Sequence, residues 1–286
     1  MKIGIVGLGL MGGSFALDLK SLNGGLKIFG HDNSVKNAEK ALKIGFIDEI
    51  IDFSKLRDMD VVVVAVPVDV SLNLVWKILD IVKDDSIVFD VGSTKSPICS
   101  FLKSHSRRKN FLACHPMAGT EFSGPEAAIT GLYLNKTNII CEANKTSAKL
   151  LKKALDIFNK LKMKSVFMDP ISHDIHAAYV SHLSHVSSFM LGKTVIEKEK
   201  NEKNIFDLAG SGFESTVRLA KSSPETWTPI FLQNKKNIAE AIDEYINSLE
   251  KFKKIITDGN SIQLKSILKN TNRIKEILNK NNNNEK

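Results

Sequence analysis

Lys2-Ile3-Gly4-Ile5-Val6-Gly7-Leu8-Gly9-Leu10-Met11-Gly12, near the start of the chain, decides the fold. A short apolar strand, Lys2 to Val6, runs straight into a Gly-x-Gly-x-x-Gly turn, and an apolar helical pattern follows at Phe15, Ala16 and Leu19. A second strand, Lys27 to Phe29, is closed by Asp32, about twenty residues beyond the glycines, which is the spacing a dinucleotide-binding βαβ unit requires. Gly7 permits the tight turn, Gly9 lets the backbone approach a pyrophosphate, and Gly12 lets helix and strand pack closely. Leu8, Leu10 and Met11 complete the loop, and the free N–H groups of the helix beyond it point at the phosphates. Asp32 points to NAD rather than NADP, because a carboxylate accepts from a ribose 2′-hydroxyl and repels a 2′-phosphate. A glycine-rich turn without a ligand is the alternative, and the ordered strand, turn, helix and acid weigh against it.

The chain has 286 residues, long for one domain, so two are expected. No stretch approaches the roughly 18 apolar residues of a membrane span. The longest apolar run, Val61 to Val68, reads as a buried strand. The chain enters its first strand at once, leaving no room for a signal peptide, so a cytoplasmic location is expected. Cys99, Cys114 and Cys141 are scattered, with no CxxC, and read as reduced core thiols. The net charge of +8 comes from lysines that alternate with acids on many helices, and no basic run interleaves with aromatics. Nucleic-acid binding is therefore not expected, although the positive field would help attract an anionic substrate.

Strands and helices alternate as far as Met168. Further strand candidates are Val61–Val66, Ile87–Asp90, Phe111–Cys114, Asn138–Cys141 and Ser165–Met168. Alternation of this kind predicts a doubly wound, largely parallel sheet: an α/β Rossmann-type dinucleotide-binding domain over residues 1–168. From Ile171 the pattern is helical throughout, with stretches from Ile230 to Phe252 and from Ile262 to Leu278. The segment Ala177–Leu191 is apolar over more than one face, and so much apolar surface on about a hundred helical residues predicts an all-α dimerisation domain over 169–278. The Asn/Lys-rich stretch 279–286 is expected to be a disordered tail.

Ligands of open α/β sheets bind beyond the carboxyl ends of the strands. Val66 and Pro67 follow the valine strand and would wall the cofactor. Asp90-Val91-Gly92-Ser93-Thr94-Lys95 forms a small-residue loop that brings Ser93 near the nicotinamide. His115 opens His-Pro-Met-Ala-Gly-Thr-Glu at the end of a strand, and its ordinary pKa suits a general base near neutrality. A structural histidine capping the strand is the blander alternative. His173, His176, His182 and His185 include two His-x-x-His pairs, but no carboxylate or cysteine completes a usual ligand set, so no metal is expected. His185 lies on an otherwise apolar helix, where a buried polar group needs a partner. Arg218 sits among Val217, Leu219 and Ala220; either a surface ion pair or bidentate capture of a substrate carboxylate fits it.

Taken together the sequence resembles the prephenate/arogenate dehydrogenase family. The resemblance rests on Gly7 to Ser14, Gly92 to Lys95, His115 to Glu121, His173-Asp174, Ser181 to His185 and Gly212 to Trp227, in order over nearly the whole chain to about residue 255. It implies a homodimer formed through the helical domain, and NAD-dependent oxidative decarboxylation of prephenate to 4-hydroxyphenylpyruvate, in tyrosine biosynthesis. Oxidation of arogenate, or of both substrates, is the open alternative. Carried over by position, His115 accepts the ring hydroxyl proton and Ser93 hydrogen-bonds that hydroxyl or His115. Arg218 binds a substrate carboxylate, His185 and Glu121 shape that end, Trp227 lines the site, and His173 lies near the cleft mouth. No fused chorismate mutase segment is expected before Met1, and the short, polar stretch after Leu278 leads to the expectation of no ACT domain. Feedback inhibition by tyrosine is then expected to act at or near the active site.

A β-hydroxyacid dehydrogenase shares this layout but places a lysine base on the first interdomain helix, where this chain carries histidines. A non-catalytic NAD-binding redox sensor is a further alternative; it would tolerate loss of His115 and Arg218.

Overall fold

The computed structural model describes residues 1–22 and 25–283. The α/β part comprises β1 (Lys2–Val6), α1 (Leu10–Ser21), β2 (Lys27–His31), α2 (Val35–Ile44), β3 (Glu49–Ile50) and β4 (Val61–Val64). It continues through α3 (Val68–Ile81), β5 (Ile87–Asp90), α4 (Ser96–Phe101), β6 (Phe111–Pro116), β7 (Thr137–Cys141), α5 (Ala148–Lys160) and β8 (Lys164–Met168). Helices follow: α6 (Pro170–Ala177), α7 (Leu183–Glu199), α8 (Ser211–Val217), α9 (Pro224–Gln233), α10 (Lys235–Thr257), α11 (Ser261–Thr271) and α12 (Ile274–Asn283).

The strands form one eight-stranded sheet in the order β3-β2-β1-β4-β5-β6-β7-β8. All neighbours are parallel except β6 and β7, so β7 and β8 run against the rest. Central strand β4 is Val61-Val62-Val63-Val64, buried on both faces, as a strand covered by helices on each side must be. Alternate valines feed different cores because side chains alternate across a strand. Val61 and Val63 join Ile3, Ile5 and Phe89 with Phe15 of α1 and Phe158 of α5. Val62 and Val64 join Val88 and Ala113 with Val75, Ile78 and Leu79 of α3. Phe15 packs edge-on against both Phe89 and Tyr133, with ring centroids 5.6 and 5.3 Å apart.

Helix ends follow local chemistry. Ser34 caps α2 by accepting the Asn37 N–H. Asp169 caps α6 by accepting the N–H groups of Ile171 and Ser172, and Pro170 sits at the first helical position, where a missing N–H does no harm. Helix α1 has no side-chain cap, which leaves its first amides available to a ligand.

Several expectations need correction. The valine strand ends at Val64, so Ala65 and Val66 lie in the loop beyond it. Strand β6 runs on to Pro116, placing His115 within the strand because β7 pairs with it there. Strand β3, only two residues long, carries no alternation that sequence could reveal. The helical stretch expected from Ile230 to Phe252 is broken at Asn234 between α9 and α10, and the one from Ile262 to Leu278 is broken between α11 and α12. Helix α12 continues to Asn283, into the stretch expected to be a disordered tail; residues 284–286 lie outside the described residues.

The chain forms two compact units, residues 1–235 and 236–286. The first contains the sheet and helices α1 to α9; the second, as far as it is described, is the remainder of α10 with α11 and α12. Helices α6 to α9 therefore fold with the sheet, held by polar bonds that span the expected division near residue 168.

Phe15 is 1% exposed between two aromatic rings, so a F15A variant is expected to lose about 3–5 kcal/mol of unfolding free energy in urea titration.

Candidate active site

A cavity of about 490 Å³ opens at the carboxyl ends of β1, β4, β5 and β6. It lies where strand order passes from β1 to β4, the switch point at which connections leave towards opposite sides of the sheet. Glycines build its nucleotide-facing wall. Gly7 has φ +90°, and a Cβ there would lie 2.3 Å from the Ala65 carbonyl oxygen. A Cβ on Gly12 would lie 2.0 Å from the Gly7 oxygen, so both positions exclude a side chain. Gly9 faces open space, with nothing within 4 Å of a Cβ. Gly9, Leu10, Met11, Val66 and Pro67 line the cavity with Asp32. The Leu8 side chain is buried in the core, but its N–H donates to Asp32 Oδ2 at 2.8 Å. Asp32 Oδ1 accepts the Ser34 N–H, also at 2.8 Å, fixing the carboxylate at the rim.

The other wall is set by a buried ion pair. Strands β5 and β6 share backbone pairing only at Val88–Phe111 and Phe89–Leu112. Beyond this point side chains take over. Asp90 Oδ1 accepts the Cys114 N–H at 3.1 Å, and Lys95 Nζ donates to the Cys114 carbonyl at 2.6 Å and to Asp90 Oδ2. Asp90 Oδ2 also accepts the Gly92 N–H at 3.0 Å, closing the loop that carries Ser93 into the cavity. Lys95 is fully buried and Asp90 1% exposed.

His115 follows Cys114 and lines the cavity while only 7% exposed. Its Nδ1 lies 2.8 Å from Nε2 of His173, whose Nδ1 lies 2.8 Å from Asp174 Oδ1. Asp174 in turn accepts the backbone N–H of Lys95 through Oδ1 at 2.8 Å and that of Ser96 through Oδ2 at 2.9 Å. Burial raises the Asp174 carboxyl, but the bonds from His173, Lys95 and Ser96 outweigh it and hold the group below its ordinary value. Burial, followed by the nearby positive or ionisable groups of His173, Lys95 and His182, pushes His115 well below its ordinary 6.5.

His182 is fully buried, and burial pushes it down to about 4. Asn234 Nδ2 donates to His182 Nδ1 at 3.1 Å and to the Asp174 carbonyl at 2.7 Å. His173 and His182 are nine residues apart, which a straight α-helix would place on opposite faces. A π-helical turn at Ala178–His182 reduces the rotation and brings both toward His115. His176, by contrast, is exposed.

Glu121 and Trp227 line the cavity. Arg218 and His185 stand behind them. Arg218 Nη1 donates to Glu121 Oε2 at 2.8 Å, and the His185 ring stacks on Trp227 with centroids 3.4 Å apart. Hydrogen bonding from its own backbone and then from Arg218 holds Glu121 below its ordinary value. His173 is a correction: placed near the cleft mouth by resemblance, it is fully buried behind His115. Sequence reasoning passed over Asp174, Lys95 and Asn234 as working residues. Asp174 and Lys95 sit inside the His-Asp and Gly-Ser-Thr-Lys motifs, and only their place relative to His115 in three dimensions reveals them. Among the described residues no cluster of His, Cys, Asp or Glu could hold a metal, and no helix is long and apolar enough to cross a membrane.

A dinucleotide-type loop facing a histidine over one cavity defines an oxidoreductase of the Rossmann class. Residues 15–167 match the sequence family described as prephenate dehydrogenase, nucleotide-binding domain, and residues 169–270 match prephenate dehydrogenase, dimerization domain. The prephenate dehydrogenase of Bacillus subtilis is 31% identical over 87% of this chain and 68% of its own length. The Aquifex aeolicus prephenate dehydrogenase, in a crystal structure with hydroxyphenyl propionate and NAD+, is 35% identical, with TM-score 0.88 over 97% of both chains. Synechocystis arogenate dehydrogenase superposes with TM-score 0.76 at 26% identity, over 97% of this chain and all of that one. The chain belongs to the prephenate dehydrogenase family.

Replacing Lys95 with Met leaves Asp90 buried without its counter-ion. The K95M variant is expected to be destabilised by about 3–5 kcal/mol, read as a lower midpoint in chemical denaturation.

Proposed function

We propose that the protein oxidises and decarboxylates prephenate to 4-hydroxyphenylpyruvate with NAD, as a homodimer joined through its helical region. The observation that carries this reading is His115, which shares one cavity with the glycine loop and keeps a ring nitrogen without a bonding partner among the described residues. The loop fits a dinucleotide: Gly9 is open to the cavity, the first amides of α1 have no side-chain cap, and the Asp32 carboxylate waits at the rim for a ribose hydroxyl. NAD, when bound, supplies the acceptor for the hydride on the hydroxyl-bearing ring carbon.

The chain's residues do the rest. Neutral His115 accepts the proton of the ring hydroxyl, with Ser93 on the neighbouring loop positioned for the same oxygen. Once that oxygen has become a carbonyl, the carboxylate at the opposite ring carbon leaves as carbon dioxide into a conjugated system, and the ring becomes aromatic. Arg218 is the cation for a substrate carboxylate, and Glu121, its present partner, orients it. His185 braces Trp227, whose indole lines the substrate end of the cavity.

NADH formation from purified protein tests the assignment directly, with prephenate and arogenate each offered with NAD and NADP. Turnover with prephenate and NAD is expected; turnover with arogenate alone would transfer the assignment to the amino substrate, and none with any pair would refute dehydrogenase activity. A base must be unprotonated to act, and the pKa of His115 is depressed. The rate should therefore stay full above that depressed value and fall as pH drops through it, placing the acid limb of kcat below pH 6.5. A H115N variant is expected to lose about 10²–10⁴-fold in kcat; wild-type turnover would remove His115 as the base. Arg218→Ala should raise KM for prephenate on the order of tenfold with kcat little changed, as loss of one half-exposed charge-assisted contact implies.

A further inference from the structure

The contacts behind His115 carry chemical information of their own. A neutral imidazole has one N–H and one lone pair, and the bond made by one nitrogen decides which role the other takes. Asp174 is ionised and already accepts two backbone N–H groups, so toward His173 it can only accept. With His173 neutral, its one proton therefore sits on Nδ1, and its Nε2 presents a lone pair. That lone pair lies 2.8 Å from His115 Nδ1. Two lone pairs at this distance would repel, so His115 must supply the proton between them.

We propose that Asp174 and His173 are positioning residues that hold His115 as the Nδ1–H tautomer, leaving the Nε2 lone pair free in the cavity. This rests on the reading of His115 as the base. Its Nε2 makes no bond within the described residues, yet it is not among the atoms sealed without a partner, unlike Nε2 of His182. The opposite tautomer would place N–H toward the substrate hydroxyl, a donor where an acceptor is required.

The anchor is rigid because Asp174 serves two segments at once. Its oxygens bind the amides at the start of α4, directly after the Ser93 loop, and Ser96 Oγ donates to the Pro170 carbonyl at 2.8 Å. Asn234 holds the Asp174 carbonyl at 2.7 Å from the other side. One carboxylate thus registers Ser93 and His115 against each other. The groups facing His115 are His173, Lys95 and His182; Asp90 is paired with Lys95, and Asp174 with His173.

Imidazole ¹⁵N NMR of histidine-labelled protein tests this without turnover, with the His115 signals assigned by their loss in H115N. The wild type is expected to show a protonated Nδ1 and an unprotonated Nε2 at neutral pH. A proton on His115 Nε2, or a doubly protonated His173 donating to His115, would overturn the proposal. Kinetics give a second readout. In a His173→Gln variant the new side chain can present an amide oxygen near the position of the lost Nε2, whereas in His173→Leu it cannot. H173Q is expected to keep kcat within about threefold, and H173L to lose about tenfold or more, with KM for prephenate little changed in both. An equal loss in the two variants would also overturn it. Full turnover by H115N would instead defeat the underlying reading of His115 as base, and the tautomer measured by NMR separates that failure from this one.

Discussion

The buried pair of Asp90 and Lys95 is the constraint on which the site depends. Backbone pairing between β5 and β6 stops at Phe89 and Leu112, and the strands part beyond it. A gap between strands in a sheet's interior exposes N–H and C=O groups that must find partners. Here the Cys114 N–H goes to Asp90 and the Cys114 carbonyl to Lys95, so two side chains replace the missing rungs. The replacement lets these strands part beside the cavity without leaving the Cys114 backbone groups orphaned. The Cys114 thiol stands apart from these two bonds. Burial pushes its thiol well above the ordinary range, and it packs with the core beside α1 and α5.

The same arrangement explains why His115 sits on a strand and not on a loop. Antiparallel pairing with β7 places Ile139 opposite His115, and Met117 N–H is held by the Thr137 carbonyl at 2.7 Å. Backbone on one side and Asp90 with Lys95 on the other leave β6 little freedom. In the proposed role of His115 as proton acceptor such rigidity is an advantage, since geometry must be right before the pKa matters. The adjacent segment, Ala118 to Gly124, lines the cavity with irregular backbone and carries Glu121. Strand and loop thus carry different parts of the site, with His115 on the paired strand and Glu121 on the irregular segment.

Much of this was legible in the sequence because its signals are local. The glycine turn, the valine strand and Asp32 lie within short windows, and their spacing is dictated by backbone geometry. His115 was legible for the same reason, being a polar residue at the end of an apolar strand. Asp174 was not, because its partners at Lys95 and Ser96 lie 79 and 78 residues away. Asn234 was hidden inside a continuous helical pattern, although its side chain is what breaks into the Asp174 and His182 cluster. The π turn at Ala178–His182 leaves no mark in composition at all, since Ala-Tyr-Val-Ser-His reads as ordinary helix. His173 illustrates the limit of motif transfer: position in the motif was preserved, but depth could be read only from the packing.

Burial and basicity pull in opposite directions at His115, and the network behind it reconciles them. Burial favours the neutral ring, which is the form able to accept a proton, and the positive charge of Lys95 pushes the same way. A neutral ring in the interior still needs a partner for its N–H, or the buried donor would be unsatisfied. His173 provides that partner without providing a negative charge. A carboxylate in direct contact would have stabilised the imidazolium and raised its pKa, leaving less of the ring in the accepting form at neutral pH. Interposing a second imidazole places the Asp174 charge one ring further away, where it organises the chain of bonds but acts more weakly on His115 itself. The stack of Asp174, His173 and His115 thus secures orientation and a low pKa together, which a direct carboxylate–histidine pair would set against each other.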